Sequence, residues 1–327
     1  MAITVVGSVA LDRIETPFAT QDRVLGGAAS YFALTASLYD TVNLVGVVGT
    51  DFPEPYLDEL KSRRVDTEGL QVVPGKTFYW GGRYHLDLNT RDTLFTELGV
   101  FADFHPTLPE RYRDAQIVFL ANIQPQLQLD VLRQTTNSPS IRLRALDTMN
   151  LWIDTEREAL TEVLRQVDVV LIAEDEVRQY AGVPSLRTAA RHILEQGPQM
   201  LVVKQGSYGA LLFGADGSFF AAPAYPLEEV HDPTGAGDAF AGGFLGYLAQ
   251  RINEGATLGL HDYRRALIHG NILGSFTCED FGCQRFHALT PEAITARYGE
   301  FVHFTHFEQA WMVAYATEMT TSETLQS

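Results

Sequence analysis

In the stretch "DPTGAGDAFAGGFLGYLA", which begins at Asp232, the carboxylate of Asp238 directly follows Gly235, Ala236 and Gly237. Pro233 ends whatever precedes it, and the two glycines free the backbone, so three successive amides can point together out of a first helical turn. A helix N-terminus with unpaired N–H groups at the positive end of its dipole binds anions. A base held beside an anion hole suits transfer of a phosphoryl group to an alcohol. Without any chemistry, a carboxylate there would still stabilise the helix end by about 0.3–1 kcal/mol. The spacing predicts that helix: Phe240, Phe244, Tyr247 and Leu248 recur with its period, while Ala239, Gly242, Gly243 and Gly246 leave another side bare. Each interior glycine forgoes about 1 kcal/mol relative to alanine, so the bare side is expected to meet something closely.

The elements that must position this site alternate along the chain. "ITVVGSVA", "TVNLVGVVG", "QIVFLAN", "IRLRALD", "VDVVLIA" and "MLVVKQG" read as strands. "GAASYFALTASLY", "EPYLDELKSRR", "QLDVLRQ", "TEREALTEVLRQ" and "LRTAARHILEQ" read as helices between them. This rhythm predicts an α/β fold with a mostly parallel central sheet and helices on both faces. Two segments break it. Residues 76–99 alternate large and polar residues around Gly81-Gly82 and a turn near Asn89–Asp92, a hairpin pattern, and with residues 12–25 they are expected to form a small antiparallel β lid. The stretch "FEQAWMVAYATEM" predicts a further amphipathic helix, so the expected organisation is one α/β domain over 1–298 and a C-terminal helical extension over 299–327.

With 327 residues, 46% of them hydrophobic, the chain can bury a large core, and its formal net charge of −17 argues against nucleic-acid or anionic-membrane surfaces. The opening "MAITVVGSVALD" lacks a basic region and a long apolar run, and no later stretch approaches a membrane span, which predicts a cytoplasmic protein. Cys278 and Cys283, spaced C-x4-C on an expected helix, suit reduced, buried thiols rather than zinc or a disulfide. His303 and His306 share a spacing that could hold a metal but have no carboxylate or thiol partner nearby in the sequence. No G-x-x-x-x-G-K-[ST], G-x-S-x-G or H-E-x-x-H occurs, and Phe240 stands where a dinucleotide fingerprint needs its third glycine.

"DPTGAGDAFAGGF" closely resembles the C-terminal signature of the ribokinase-like (PfkB) family of carbohydrate and nucleoside kinases. "VVGSVALD", "LGGAAS", "VGVVGTDFP", "VVKQGSYGALLF" and "LTPEAITARY" resemble further family segments, so the likeness runs from the start to about Tyr298. The resemblance implies that Asp238 is the catalytic base and that Gly235, Ala236 and Gly237 form the anion hole. It implies substrate contacts from Asp12, Gly26, Gly27 and the position of Tyr31, and nucleotide contacts from Lys204, Gly206 and Asn271. Glu176 matches the glutamate of an N-x-x-E element that organises Mg²⁺ through water, with ATP as phosphoryl donor. The resemblance leaves room for a monovalent cation and for a homodimer formed through the lid.

Two positions depart from the family pattern. Ala173 stands where N-x-x-E has its asparagine, which removes a polar contact that Glu174 could partly replace. Tyr31, followed by Phe32, stands where an asparagine often grips a substrate hydroxyl, which replaces an amide with an aromatic wall. The expected activity is phosphoryl transfer from ATP to an alcohol of a sugar or polyol, with a nucleoside as the alternative acceptor. Aromatic Trp80 and Tyr84, with His85 beside them in the lid, lean toward the nucleoside, and a non-catalytic ligand-binding relative is the third reading.

Overall fold

The computed structural model describes residues 2–306, and the expected tail helix lies outside them. The chain begins with β1 (Ala2–Val6), β2 (Ala10–Glu15), β3 (Thr20–Gly26), α1 (Ala28–Ala36), β4 (Thr41–Gly49), α2 (Glu54–Ser62), β5 (Val65–Asp66), β6 (Leu70–Val73), β7 (Phe78–Tyr84) and β8 (Arg91–Glu97). It continues through β9 (Ile117–Leu120), α3 (Pro125–Thr135), β10 (Leu143–Asp147), α4 (Asn150–Thr155), α5 (Arg157–Leu164), β11 (Val169–Ala173), α6 (Glu174–Ala181), α7 (Leu186–Leu194) and β12 (Met200–Lys204). Last come β13 (Ala210–Gly214), β14 (Phe219–Ala222), α8 (Ala236–Asn253), α9 (Leu260–Thr277) and α10 (Pro291–Thr305).

Ten strands form the main sheet in the order β14-β13-β12-β11-β10-β9-β1-β4-β5, with β6 also beside β4. Pairing is parallel from β12 to β5, and β13 and β14 fold back antiparallel. The parallel strands are covered on both faces, which is why they read as near-continuous apolar runs such as Val169–Ile172. Ile3 and Val5 face a core shared with α1, α8 and α9, whereas Val118 and Leu120 face one shared with α3 and α5 to α7. Asp147, Ala173 and Lys204 close three neighbouring strands at their C-terminal ends, the edge where open parallel sheets bind ligands.

The bare side of α8 is a packing surface. A Cβ on Gly242 would overlap Thr35 of α1, one on Gly243 would strike the His269 carbonyl of α9, and one on Gly246 would meet the Tyr39 ring. Close seating on two helices fixes the start of α8 and, with it, Asp238. Between these helices Tyr39 Oη lies 2.8 Å from His269 Nδ1, whose ring stacks on Tyr247, and burial pushes the imidazole down to about 4.

The separate small sheet has the order β3-β2-β7-β8. β2–β3 and β7–β8 are antiparallel hairpins, as the alternating pattern predicts, and they join through a parallel seam in which Asp12 is opposite Trp80. Ile14, Val24 and Tyr84 pack with Phe281 of the body, so this lid is docked. The helix expected through the cysteines stops at Thr277. Gly282, at φ 56°, turns the chain, and both thiols are free, Cys283 fully buried. His303 and His306 are exposed, and among the described residues no cluster of three or more His, Cys, Asp or Glu could hold a metal.

Candidate active site

Gly235 is the N-cap of α8 at φ 74°, a left-handed conformation that glycine adopts without penalty. The ring of Tyr31 lies so close beneath it that a Cβ there would overlap the aromatic carbons. The Ala236 N–H donates to the Pro233 carbonyl at 3.2 Å to close the turn, so the amides of Gly235 and Gly237 are left to face an anion. Asp238 is half-buried in the first turn. Burial, reinforced by nearby Asp147 and opposed by Lys204 and Arg91, pushes its carboxyl up to about 7. A base poised near neutral pH is matched to taking a proton from an alcohol.

Lys204 Nζ lies 2.5 Å from Asp147 Oδ2, with both side chains largely buried, and would sit 3.3 Å from a Cβ on Gly237. The ammonium therefore borders the anion hole while Asp147 holds it. Burial pushes the Asp147 carboxyl up, against the pull of Lys204. Glu176, in the first turn of α6, accepts the Ala173 N–H at 3.0 Å and is pushed up to about 7, chiefly by burial. Its electrostatic neighbours are Lys204 and Asp147, so three adjacent strand ends converge beside Asp238. Glu174 is committed elsewhere: it accepts hydrogen bonds from Arg178 and from Gln205, the latter at 2.5 Å, so it does not take over the position of the missing asparagine.

On the opposite side, Asp12 is a buried carboxyl on β2. It presses against Gly26, where any Cβ would overlap the carboxylate, and the Gly27 N–H donates to it. Burial, then repulsion from Asp232 and Asp238, pushes it up to about 8. A cleft of about 650 Å³ extends from the anion hole, lined by Lys204, Gly206, Ala236, Gly237 and Asn271, with Tyr84, Asn89 and Arg91 of the lid along its rim. Asn271 Nδ2 donates to the Pro223 carbonyl at 3.0 Å, so it braces the cleft wall, and the lid tip at Asn89 borders Gly206.

Two residues of this site were not singled out from the sequence. Asp147 could have been noticed as an acid ending a parallel strand. Arg91 gave no such sign, because a basic residue at a hairpin turn is ordinary. Folding stacks its guanidinium 4.9 Å from the Trp80 ring centroid and brings its charge toward both Asp12 and Asp238. The lid also reaches the signature through Tyr84, whose Oη accepts a hydrogen bond from Thr234 Oγ1 at 3.1 Å.

The raised carboxyls carry a sign that can be measured. Asp12, Asp238 and Glu176 titrate near ~4 when unfolded, so between about pH 4 and 8 the folded protein binds more protons and its stability falls as pH rises. His269 acts in the opposite direction but only below about pH 6.5. The melting temperature of the ligand-free protein is expected to drop by several degrees from about pH 6.5 to about pH 9, and Asp12→Asn to flatten the slope. A melting temperature that climbs over this interval would contradict the assignment.

The Asp238 carboxyl and the free amides at the start of α8 thus lie across the cleft from the Asp12 carboxyl on Gly26 and Gly27, at the carboxyl edge of the main sheet. The chain belongs to the pfkB family of carbohydrate kinases, which matches residues 3–289. It is 35% identical to a cytidine kinase of Thermococcus kodakarensis over 271 residues, covering 81% of this chain and 95% of that one. The nucleoside kinase of Methanocaldococcus jannaschii shares the fold with a TM-score of 0.73 at 23% identity, over 91% of this chain and 98% of the other. An E. coli protein designated ribokinase II, in complex with ATP and Mg²⁺, does so with a TM-score of 0.73 at 20% identity, over 91% and 99% of the two chains. No helix among the described residues is long and apolar enough to cross a membrane.

Proposed function

We propose that this protein is a nucleoside kinase that moves the γ-phosphate of Mg·ATP to a sugar hydroxyl of a ribonucleoside, a pyrimidine nucleoside first among them. The observation that carries this reading is the buried Asp12 carboxyl on Gly26 and Gly27, facing Asp238 across the site and bordered by aromatic residues where a sugar-gripping amide would stand. The cytidine kinase relative, matched over nearly its whole length, supports it.

In this reading Asp12 and the Gly26-Gly27 backbone hold neighbouring ribose hydroxyls, which orients the attacking oxygen toward Asp238. Asp238 accepts its proton. The Gly235 and Gly237 amides, the dipole of α8 and the Lys204 ammonium receive the negative charge that develops on the transferred group. The nucleotide occupies the cleft lined by Gly206 and Asn271. Glu176, with one oxygen on the Ala173 amide, would hold Mg²⁺ through water alongside the ATP phosphates, as suits a cation that keeps part of its hydration shell. Bound there, Mg²⁺ would neutralise phosphate charge. Arg91 and Tyr84 close the lid side and exclude water.

A sugar acceptor is the second reading, because a carboxyl on twin glycines grips a free sugar equally well. ADP formation with cytidine, uridine, adenosine and ribose, each product weighed by mass spectrometry, separates them. The expected result is a nucleoside monophosphate, with kcat/KM for a pyrimidine nucleoside at least about tenfold above ribose. Faster turnover of ribose would hand the assignment to the sugar reading.

A further inference from the structure

Arg297 of α10 does not line the cleft, yet its side chain is only 12% exposed. Its guanidinium lies 3.6 Å from the ring centroid of Phe276 and 4.2 Å from that of Tyr225. Nη1 donates to Ser275 Oγ at 2.9 Å, and Nη2 donates to Glu279. One turn further along α10, Glu300 accepts a hydrogen bond from Tyr225 Oη. Tyr225 and Ser275 both line the cleft, but they come from different parts of the chain. Ser275 is on α9, one turn beyond Asn271, whereas Tyr225 belongs to residues 223–230, which form neither strand nor helix. Without a ladder to set its position, such a segment is placed by its side-chain contacts. Those of Tyr225 run to α10, to Arg297, Glu300 and Phe301.

Lys204 and Gly237 offer the cleft a charge and an amide for phosphates, whereas Tyr225, Pro226, Leu227 and Val230 offer apolar surface, which suits a flat nucleobase. We propose that Arg297 is a positioning residue for the phosphoryl donor: it holds Tyr225 and Ser275 together as the wall against which the donor's nucleobase lies. This rests on the reading of the cleft as the nucleotide site. A planar guanidinium stacks on two rings and forks to two acceptors at once, which an ammonium cannot do. Glu279 has a second partner, because Arg285 donates to it at 2.7 Å and also approaches the Phe276 ring at 5.1 Å. Removing Arg297 therefore strands no carboxylate and releases only the wall.

Arg297→Met and Arg297→Lys test this beside Arg285→Met, which loses the same two neighbours, Glu279 and Phe276, but touches neither Tyr225 nor Ser275. Calorimetric titration with Mg·ADP and with Mg·tripolyphosphate, melting curves and steady-state kinetics are run on each. Arg297→Met should weaken ADP affinity and raise the KM for ATP about tenfold, with kcat and the KM for the acceptor within about twofold. Tripolyphosphate, which has no base, should bind as it does to wild type. Arg297→Lys should show most of the same loss although its charge is kept, and it decides the matter if the Met variant does not fold. Arg285→Met should keep ADP affinity. Unchanged ADP affinity in both Arg297 variants, equal losses for ADP and tripolyphosphate, or an equal loss in Arg285→Met would overturn the proposal. Wild-type protein that binds no ADP would overturn the nucleotide reading of the cleft, and the proposal with it.

Discussion

Asp238→Asn is expected to lower kcat by roughly 10²–10⁴-fold while leaving the fold intact, because it removes the only proton acceptor in the first turn of α8 but keeps the side chain's shape. Stability should not suffer. Burial disfavours the charged carboxylate there, so a neutral amide relieves a desolvation penalty and the variant should melt at or slightly above wild type near neutral pH. Affinity for acceptor and nucleotide should change little, since the hydroxyl grip and the amides remain. Kinetics, calorimetry and melting curves on the same preparation separate these effects. Turnover within a few-fold of wild type would remove Asp238 from the mechanism.

Lys204→Met should do the reverse as well as cost activity: it strands Asp147 in a buried position without its counter-ion. Breaking a buried pair from one side costs about 3–5 kcal/mol, more than deleting both members. The loss is limited by protonation, because burial already pushes Asp147 toward its neutral form. The variant should therefore be least stable at high pH and recover as pH falls and Asp147 takes up a proton. Adding Asp147→Asn should restore most of the stability and none of the turnover, since the ammonium beside Gly237 is still missing. Urea unfolding of the single and double variants at two pH values checks the first claim, and ADP formation checks the second. A single variant as stable as wild type at every pH would mean that Asp147 is not buried as described.

The parts of this site carried by local backbone were legible in the sequence. A proline, two glycines and an acid announced the start of α8, and the α/β alternation announced the sheet edge that presents it. The glycine stripe correctly implied close packing, but only the fold shows that α1 and α9 supply the opposing atoms. Parts that depend on distant segments were not legible. Arg91 reaches Asp12 and Asp238 because two hairpins share a parallel seam in which Asp12 is opposite Trp80, 68 residues later, a pairing that no local pattern encodes. Asp147 and Lys204 are likewise joined only by strand order. Tyr31 was expected as an aromatic wall for the acceptor, and its second contact, beneath Gly235, follows from the way α1 packs on α8. The helix expected through both cysteines ends at Thr277 with Cys278 as its C-cap, and the chain turns at Gly282 before Cys283.

The most direct test of the account is a crystal structure with Mg²⁺, a non-hydrolysable ATP analogue and cytidine bound together. The account predicts one sugar hydroxyl about 3 Å from the Asp238 carboxylate and in line with the γ-phosphate, whose oxygens meet the Gly235 and Gly237 amides, with Asp12 on the remaining hydroxyls. A γ-phosphate held away from the start of α8, or an acceptor oxygen nearest to a group other than Asp238, would contradict it.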